Sequence, residues 1–168
     1  MRTLLIFTVL LFSSCTPVAT YPPVENDTAL TFSNSANEPV PTIMAVVISY
    51  AHEHFGGMDT VVFNLPEGVG HETYNIVAEK LGGAIPMTSP NEIAYHLTEL
   101  RVRGFTADAD IIFPSASGRY ELATVRVGSS LVSPWRVTRD RVWLIPSSEA
   151  PAPGYSVETI VGAEADSQ

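Results

Sequence analysis

Asp108 and Asp110 sit two residues apart in a run that alternates apolar and polar, Phe105-Thr106-Ala107-Asp108-Ala109-Asp110-Ile111-Ile112-Phe113. A strand of that period turns both carboxylates to one face, about 6.6 Å apart at the usual rise. At such a spacing two carboxyl groups can divide the roles of general acid and general base, with His96 or Arg126 assisting. The same residues have a structural use. If hairpins form on either side, Arg101 and Arg126 flank Asp108 across the strands as an ion ladder on the wet face, which stabilises only weakly. Were that face the concave one beneath the helices, these groups would instead mark a buried polar pocket.

His52, Glu53 and His54 resemble a metal-ligand pattern, with His71, Glu72 and His96 as distant partners. On a helix, residues two apart point about 200° apart, so His52 and His54 grip one ion only if the helix ends between them. Charged histidines in a last helical turn also gain about 0.3 to 1 kcal/mol from the helix dipole, which is the structural reading. Seven of the nine basic residues are arginines between Arg101 and Arg141, among them Arg136, Arg139 and Arg141. Their forks suit phosphates and carboxylates, hence an anionic ligand or lipid headgroup, while the interleaved acids favour a solvated strand face. Gly68-Val69-Gly70 lacks the third glycine and the Lys-Ser/Thr pair of a phosphate loop, and Glu67 and Glu72 would repel a phosphate. No Gly-x-Ser-x-Gly elbow occurs, and Ser129-Ser130 has no assigned base. Trp135 and Trp143 read as core anchors.

The elements that must position these residues are marked locally. Pro41 opens a helix in which Ile43, Val46, Val47, Tyr50 and His54 recur at helical spacing, and Gly56-Gly57 stops it. Its β-branched content makes a strand the competing reading. Residues 60–65 read as a short buried strand ended by Pro66. Tyr74, Val77, Ala78 and Leu81 define a second helix starting at His71 and closed by Gly82-Gly83. Ser89-Pro90-Asn91-Glu92 has the form of a capping box and predicts at least one helical turn, after which residues 94–102 are mostly strand. Arg103-Gly104 supplies a two-residue hairpin turn into the strand over 105–113. Beyond the loop at 114–118, Ala123, Val125 and Val127 alternate in the return strand, and a last strand covers 135–145. There Val137 and Val142 are an odd number apart, so the phase slips and a bulge is expected at 138–140.

A chain of 168 residues, 45% hydrophobic and 16% charged, suits one folded domain. Its net charge of -9 excludes a nucleic-acid footprint made from a general basic excess. Arg2 followed by the apolar stretch from Leu4 to Phe12 has the shape of a secretory signal, far short of the roughly 20 residues that cross a bilayer as a helix. Residues 16–40, with Pro17, Pro22, Pro23 and Pro39, read as a tether with an end-to-end distance of about 25 to 30 Å. Residues 146–168 carry four acids and no base and read as a mobile tail, with one short strand near 155–161. Setting both ends aside leaves eleven acids against eight bases, so no acidic cleft need be invoked.

Phe12-Ser13-Ser14-Cys15 resembles the lipobox of bacterial lipoproteins, with Phe12 where that family usually has an aliphatic residue. The resemblance implies removal of residues 1–14 and acylation of Cys15, the chain's one thiol, which would otherwise stand unpaired in an oxidising compartment. Acyl chains gain about 0.8 kcal/mol per buried CH₂, so several would hold the protein firmly. Thr16, which is not the Asp of inner-membrane retention, implies an outer membrane where the cell has one. The order helix, short strand, helix and antiparallel strands, the last opening Pro134-Trp135-Arg136-Val137, resembles the cone-shaped nuclear transport factor two-like superfamily, without its usual additional N-terminal helix. That superfamily holds hydrolases, isomerases, ligand binders and noncatalytic assembly modules, so the likeness implies a fold and no single reaction.

The expectation is an α+β domain over 42–145, two helices packed on a curved antiparallel sheet of four to five strands, an abbreviated cone. A leader at 1–14, a lipid-anchored tether at 15–41 and an acidic tail at 146–168 complete the chain. The expected function is that of a noncatalytic cell-envelope domain, held to a membrane through Cys15 and facing the periplasm or exterior. It would bind a protein partner or small ligand, with no cofactor, resident metal or nucleic acid. One alternative is a small exported hydrolase or isomerase with Asp108 or Asp110 as base. The other is a structural envelope component assembling through an edge strand or the Trp-bearing final strand.

Overall fold

The computed structural model describes residues 18–24, 34–56, 58–115, 118–147 and 150–155; the leader, Cys15 and the strand expected near 155–161 fall outside these, apart from Tyr155. The elements run β1 (Val18–Tyr21), α1 (Val40–His54), β2 (Val62–Asn64), α2 (His71–Lys80), β3 (Ile85–Pro86), β4 (Tyr95–Arg103), β5 (Thr106–Pro114), β6 (Tyr120–Ser130) and β7 (Ser133–Ser147). This is an α+β fold, two helices against one sheet.

Among the described residues the sheet holds seven strands rather than four or five, in the order β3-β2-β4-β5-β6-β7 with β1 added to β4. It is mixed rather than purely antiparallel, because β2 runs parallel to both β3 and β4. The long strands β4 to β7 form the expected meander. The extra strands are short. β3 has two residues, and β1 has four taken from the stretch expected to be tether. Along one edge of β4, β2 pairs with Tyr95 and His96 while β1 pairs with the stretch from Leu100 to Arg103, burying Ala19 and Tyr21. A free β4 edge presents unpaired backbone groups, and β1 covers it. The folded unit therefore begins well before residue 42.

Alternation sets the layers. Ala107, Ala109, Ile111 and Phe113 of β5 and Ala123, Val125 and Val127 of β6 are buried on the face that carries α1, and Leu100 and Val102 of β4 join them. Three alanines here keep the sheet surface low beneath the helix. On α1 the buried stripe is Ile43, Met44, Val47, Ile48 and Ala51, with Val46 and Tyr50 half-buried and His54 exposed. It is rotated toward Met44 and Ile48 relative to the stripe expected from the sequence. α2 packs on α1 and buries Tyr74 and Val77.

Three local expectations change. The capping-box residues form a turn and no helix: Glu92 accepts from the Thr88 N–H and hydroxyl, and the chain passes directly into β4. The β4–β5 hairpin turns on Gly104-Phe105 instead of Arg103-Gly104, because Arg103 pairs with Thr106. Gly104 holds φ of +60°, and Phe105 is left outside the buried alternation. The bulge in β7 falls where the phase slip put it. Arg126 pairs with Arg139 but Val127 with Val137, so Thr138 is the extra residue, and its hydroxyl donates to the Arg126 carbonyl at 3.2 Å.

Candidate binding site

On the sheet face away from the helices, Arg101, Asp108 and Arg126 lie in one cross-strand row, as the hairpin argument required. Arg126 grips Asp108 with two guanidinium bonds, Nε at 2.7 Å and Nη2 at 2.9 Å. Arg101 reaches diagonally, bonding Asp110 at 2.9 Å and Glu99 at 2.6 Å. Asp110 also accepts from the Thr124 hydroxyl at 2.6 Å, and that hydroxyl accepts from the Trp143 indole N–H at 3.0 Å. The Arg126 hydrogen bonds, working against partial burial, hold the Asp108 carboxyl below the usual carboxylate range. A carboxylate so engaged is a poor proton acceptor near neutral pH. No histidine bonds either aspartate among the described residues, so the expected assistance of His96 is absent from this geometry.

His52 and His54 diverge. The His52 Nδ1 lies 3.3 Å from the Tyr95 hydroxyl, whereas His54 stacks on Tyr50 and bonds its carbonyl at 3.0 Å. Among the described residues no three His, Cys, Asp or Glu side chains come together as a metal site.

His96 has another role. The parallel pairing of β2 with β4 sets it beside Asn64, and it is 1% exposed. Asn64 is held on three sides. Its Oδ1 accepts from the Gly154 N–H at 2.9 Å and the Tyr74 hydroxyl at 2.9 Å, and its Nδ2 donates to the Ala152 carbonyl at 2.8 Å. A backbone N–H can only donate and a carbonyl only accept, so these partners fix which way the carboxamide points. The second Nδ2 hydrogen then meets His96 Nδ1 at 3.5 Å. Nδ1 must accept, which puts the imidazole proton on Nε2. Among the described residues, Nε2 is buried and has no hydrogen-bond partner. Burial pulls the pKa of His96 down to about 4, so the ring is neutral at physiological pH.

His96 and Asn64 line a cavity of about 480 Å³ between β2, β4 and the docked residues 151–154. Its remaining wall is Leu65, Leu97, Thr98 and Glu67 with four prolines, Pro22, Pro66, Pro151 and Pro153. Residues 150–155, expected to belong to a mobile tail, pass over the fold here, and Tyr155 packs on His71 and Tyr74. The sequence offered His96 as a helper for distant carboxylates or as a distant partner of the His52 and His54 metal pattern. Its placement depends on a parallel contact between segments 32 residues apart, which no local period reveals.

No helix among the described residues is long and apolar enough to cross a membrane. Comparison with protein-family models, with curated proteins and with solved structures finds no match.

Proposed function

We propose that this chain is the noncatalytic, ligand-binding domain of a lipid-anchored cell-envelope protein, and that the cavity beside His96 is its binding site. The observation that carries this reading is the cavity of about 480 Å³ itself, with the buried His96 and Asn64 fixed in its wall. A concave, mostly apolar wall with a few fixed polar groups is the usual form of a small-molecule site. The four prolines and two leucines around it favour a small, neutral ligand with an apolar body and one carbonyl or hydroxyl oxygen. The lipobox-like Phe12-Ser13-Ser14-Cys15 supports the anchor, and the nuclear transport factor two-like likeness supports an architecture only: Trp135 and Val137 pack half-buried on the core. The hydrolase or isomerase reading loses its bases, since Asp108 and Asp110 are tied to arginines. Assembly through the final strand draws no support from Trp143, whose indole bonds Thr124 and whose ring lies under Arg141.

Two measurements test the proposal. Small apolar alcohols, ketones and tertiary amides titrated into the protein should shift the His96 imidazole resonances saturably, and His96→Phe should abolish binding; a panel that leaves the ring unmoved removes the ligand reading. Mass spectrometry of the processed chain should find acyl groups on Cys15. An unmodified thiol there refutes the anchor.

A further inference from the structure

Val18, Arg103, Thr106, Gly128 and Arg136 form one row across β1, β4, β5, β6 and β7 at one end of the sheet. Past that row the chain turns twice, at Gly104-Phe105 and at Leu131-Val132. The two turns are neighbours, for the Ser129 N–H donates to the Phe105 carbonyl at 2.9 Å. Both present large apolar side chains to solvent: Phe105 is 59% exposed, Leu131 93% and Val132 95%. Two-residue hairpins ordinarily carry Asn, Asp or Gly at such positions. Three large apolar groups on adjacent tips form an exposed patch that calls for an apolar partner.

What surrounds the patch says which kind. Arg103 and Arg136 stand exposed in the row just behind it, and neither is in an ion pair among the described residues. Apolar tips backed by cations match a bilayer surface, with acyl chains below and phosphates at headgroup level. The chain's path points the same way. β1 joins this row at Val18, and Cys15 lies three residues earlier, a separation of at most about 10 Å for extended chain.

We propose that this end of the sheet rests on an anionic bilayer, with Phe105, Leu131 and Val132 entering the interface and Arg103 and Arg136 meeting lipid phosphates. The choice of a bilayer as the partner rests on the anchored reading above. On this inference the anchor is close-coupled, with residues 16–17 rather than 16–41 between the acylated cysteine and the fold, and the domain lies on the membrane in one orientation.

The test keeps the tips separate from the acyl group. The processed chain, residues 15–168, with Cys15→Ser is given one thiol, Val132→Cys, carrying an environment-sensitive nitrobenzoxadiazole label, and mixed with vesicles of phosphatidylethanolamine and phosphatidylglycerol. A second version carries the label through Arg119→Cys, in the turn at the sheet's opposite end. Emission at the first position should rise severalfold and shift to the blue while the second stays unchanged. Adding Leu131→Asp to the first should weaken vesicle binding at least about tenfold. An unchanged signal at position 132, or equal changes at both ends, overturns the proposal. The acyl mass on Cys15 reports on the anchor alone, so either idea can fail without the other.

Discussion

The carboxamide of Asn64 clasps the backbone at Gly154, ninety residues further along, by accepting its N–H at 2.9 Å while donating to the Ala152 carbonyl at 2.8 Å. One side chain thus pairs with the chain as a strand neighbour would, and it closes one wall of the His96 cavity.

That clasp demands a glycine. A Cβ at position 154 would stand 2.5 Å from the Tyr74 hydroxyl and 3.3 Å from Asn64 Oδ1. Gly154→Ala is expected to push residues 150–155 off the fold and to cost about 1 to 3 kcal/mol. Faster amide exchange over 150–155, with β5 and β6 unaltered, is the measurement; unchanged protection of that segment would contradict it.

The buried imidazole of His96 predicts an acid-labile fold. Its folded pKa of about 4 lies below the ordinary 6.5, so the unfolded chain takes up a proton first as pH falls. Stability is then full above pH 6.5, declines between 6.5 and 4, and loses nothing more from this group below that. Between pH 7 and 4.5 the loss from His96 is about 2 kcal/mol. Urea midpoints for wild type and His96→Gln over that range should show the wild type falling more steeply. Parallel slopes would clear His96 of the effect.

The ion ladder on the open face should matter little. Arg126 is exposed and Asp108 one-third exposed at its side chain, so solvent screens their attraction in spite of the two-pronged geometry. A double-mutant cycle with Asp108→Asn and Arg126→Gln is expected to give a coupling near the limit of measurement, weaker still at high salt. A coupling of several kcal/mol would mean that this face is covered by something in the functional state.

Periodicity made much of the meander legible. The alternation about Asp108 placed its neighbours on opposite faces, and the odd spacing of Val137 and Val142 located the bulge at Thr138. The Arg101–Asp108–Arg126 row followed from two turns and simple counting. The capping-box residues of 89–92 misled because the same local hydrogen bonds close a turn as readily as they start a helix.

From the sequence by itself came the two helices, the alternating strands and the α+β class, since each is written in side-chain spacing within a few turns or hairpins. Tertiary structure alone decided that Val18–Tyr21 is a strand, that Asn64 meets both His96 and Gly154, and that the tips at Phe105 and Val132 share one end with the row at Val18. The physical reason is that four residues of β1, or a clasp of two hydrogen bonds, carry no period of their own. They are ordered by an edge or a donor that exists only once the rest of the chain has folded.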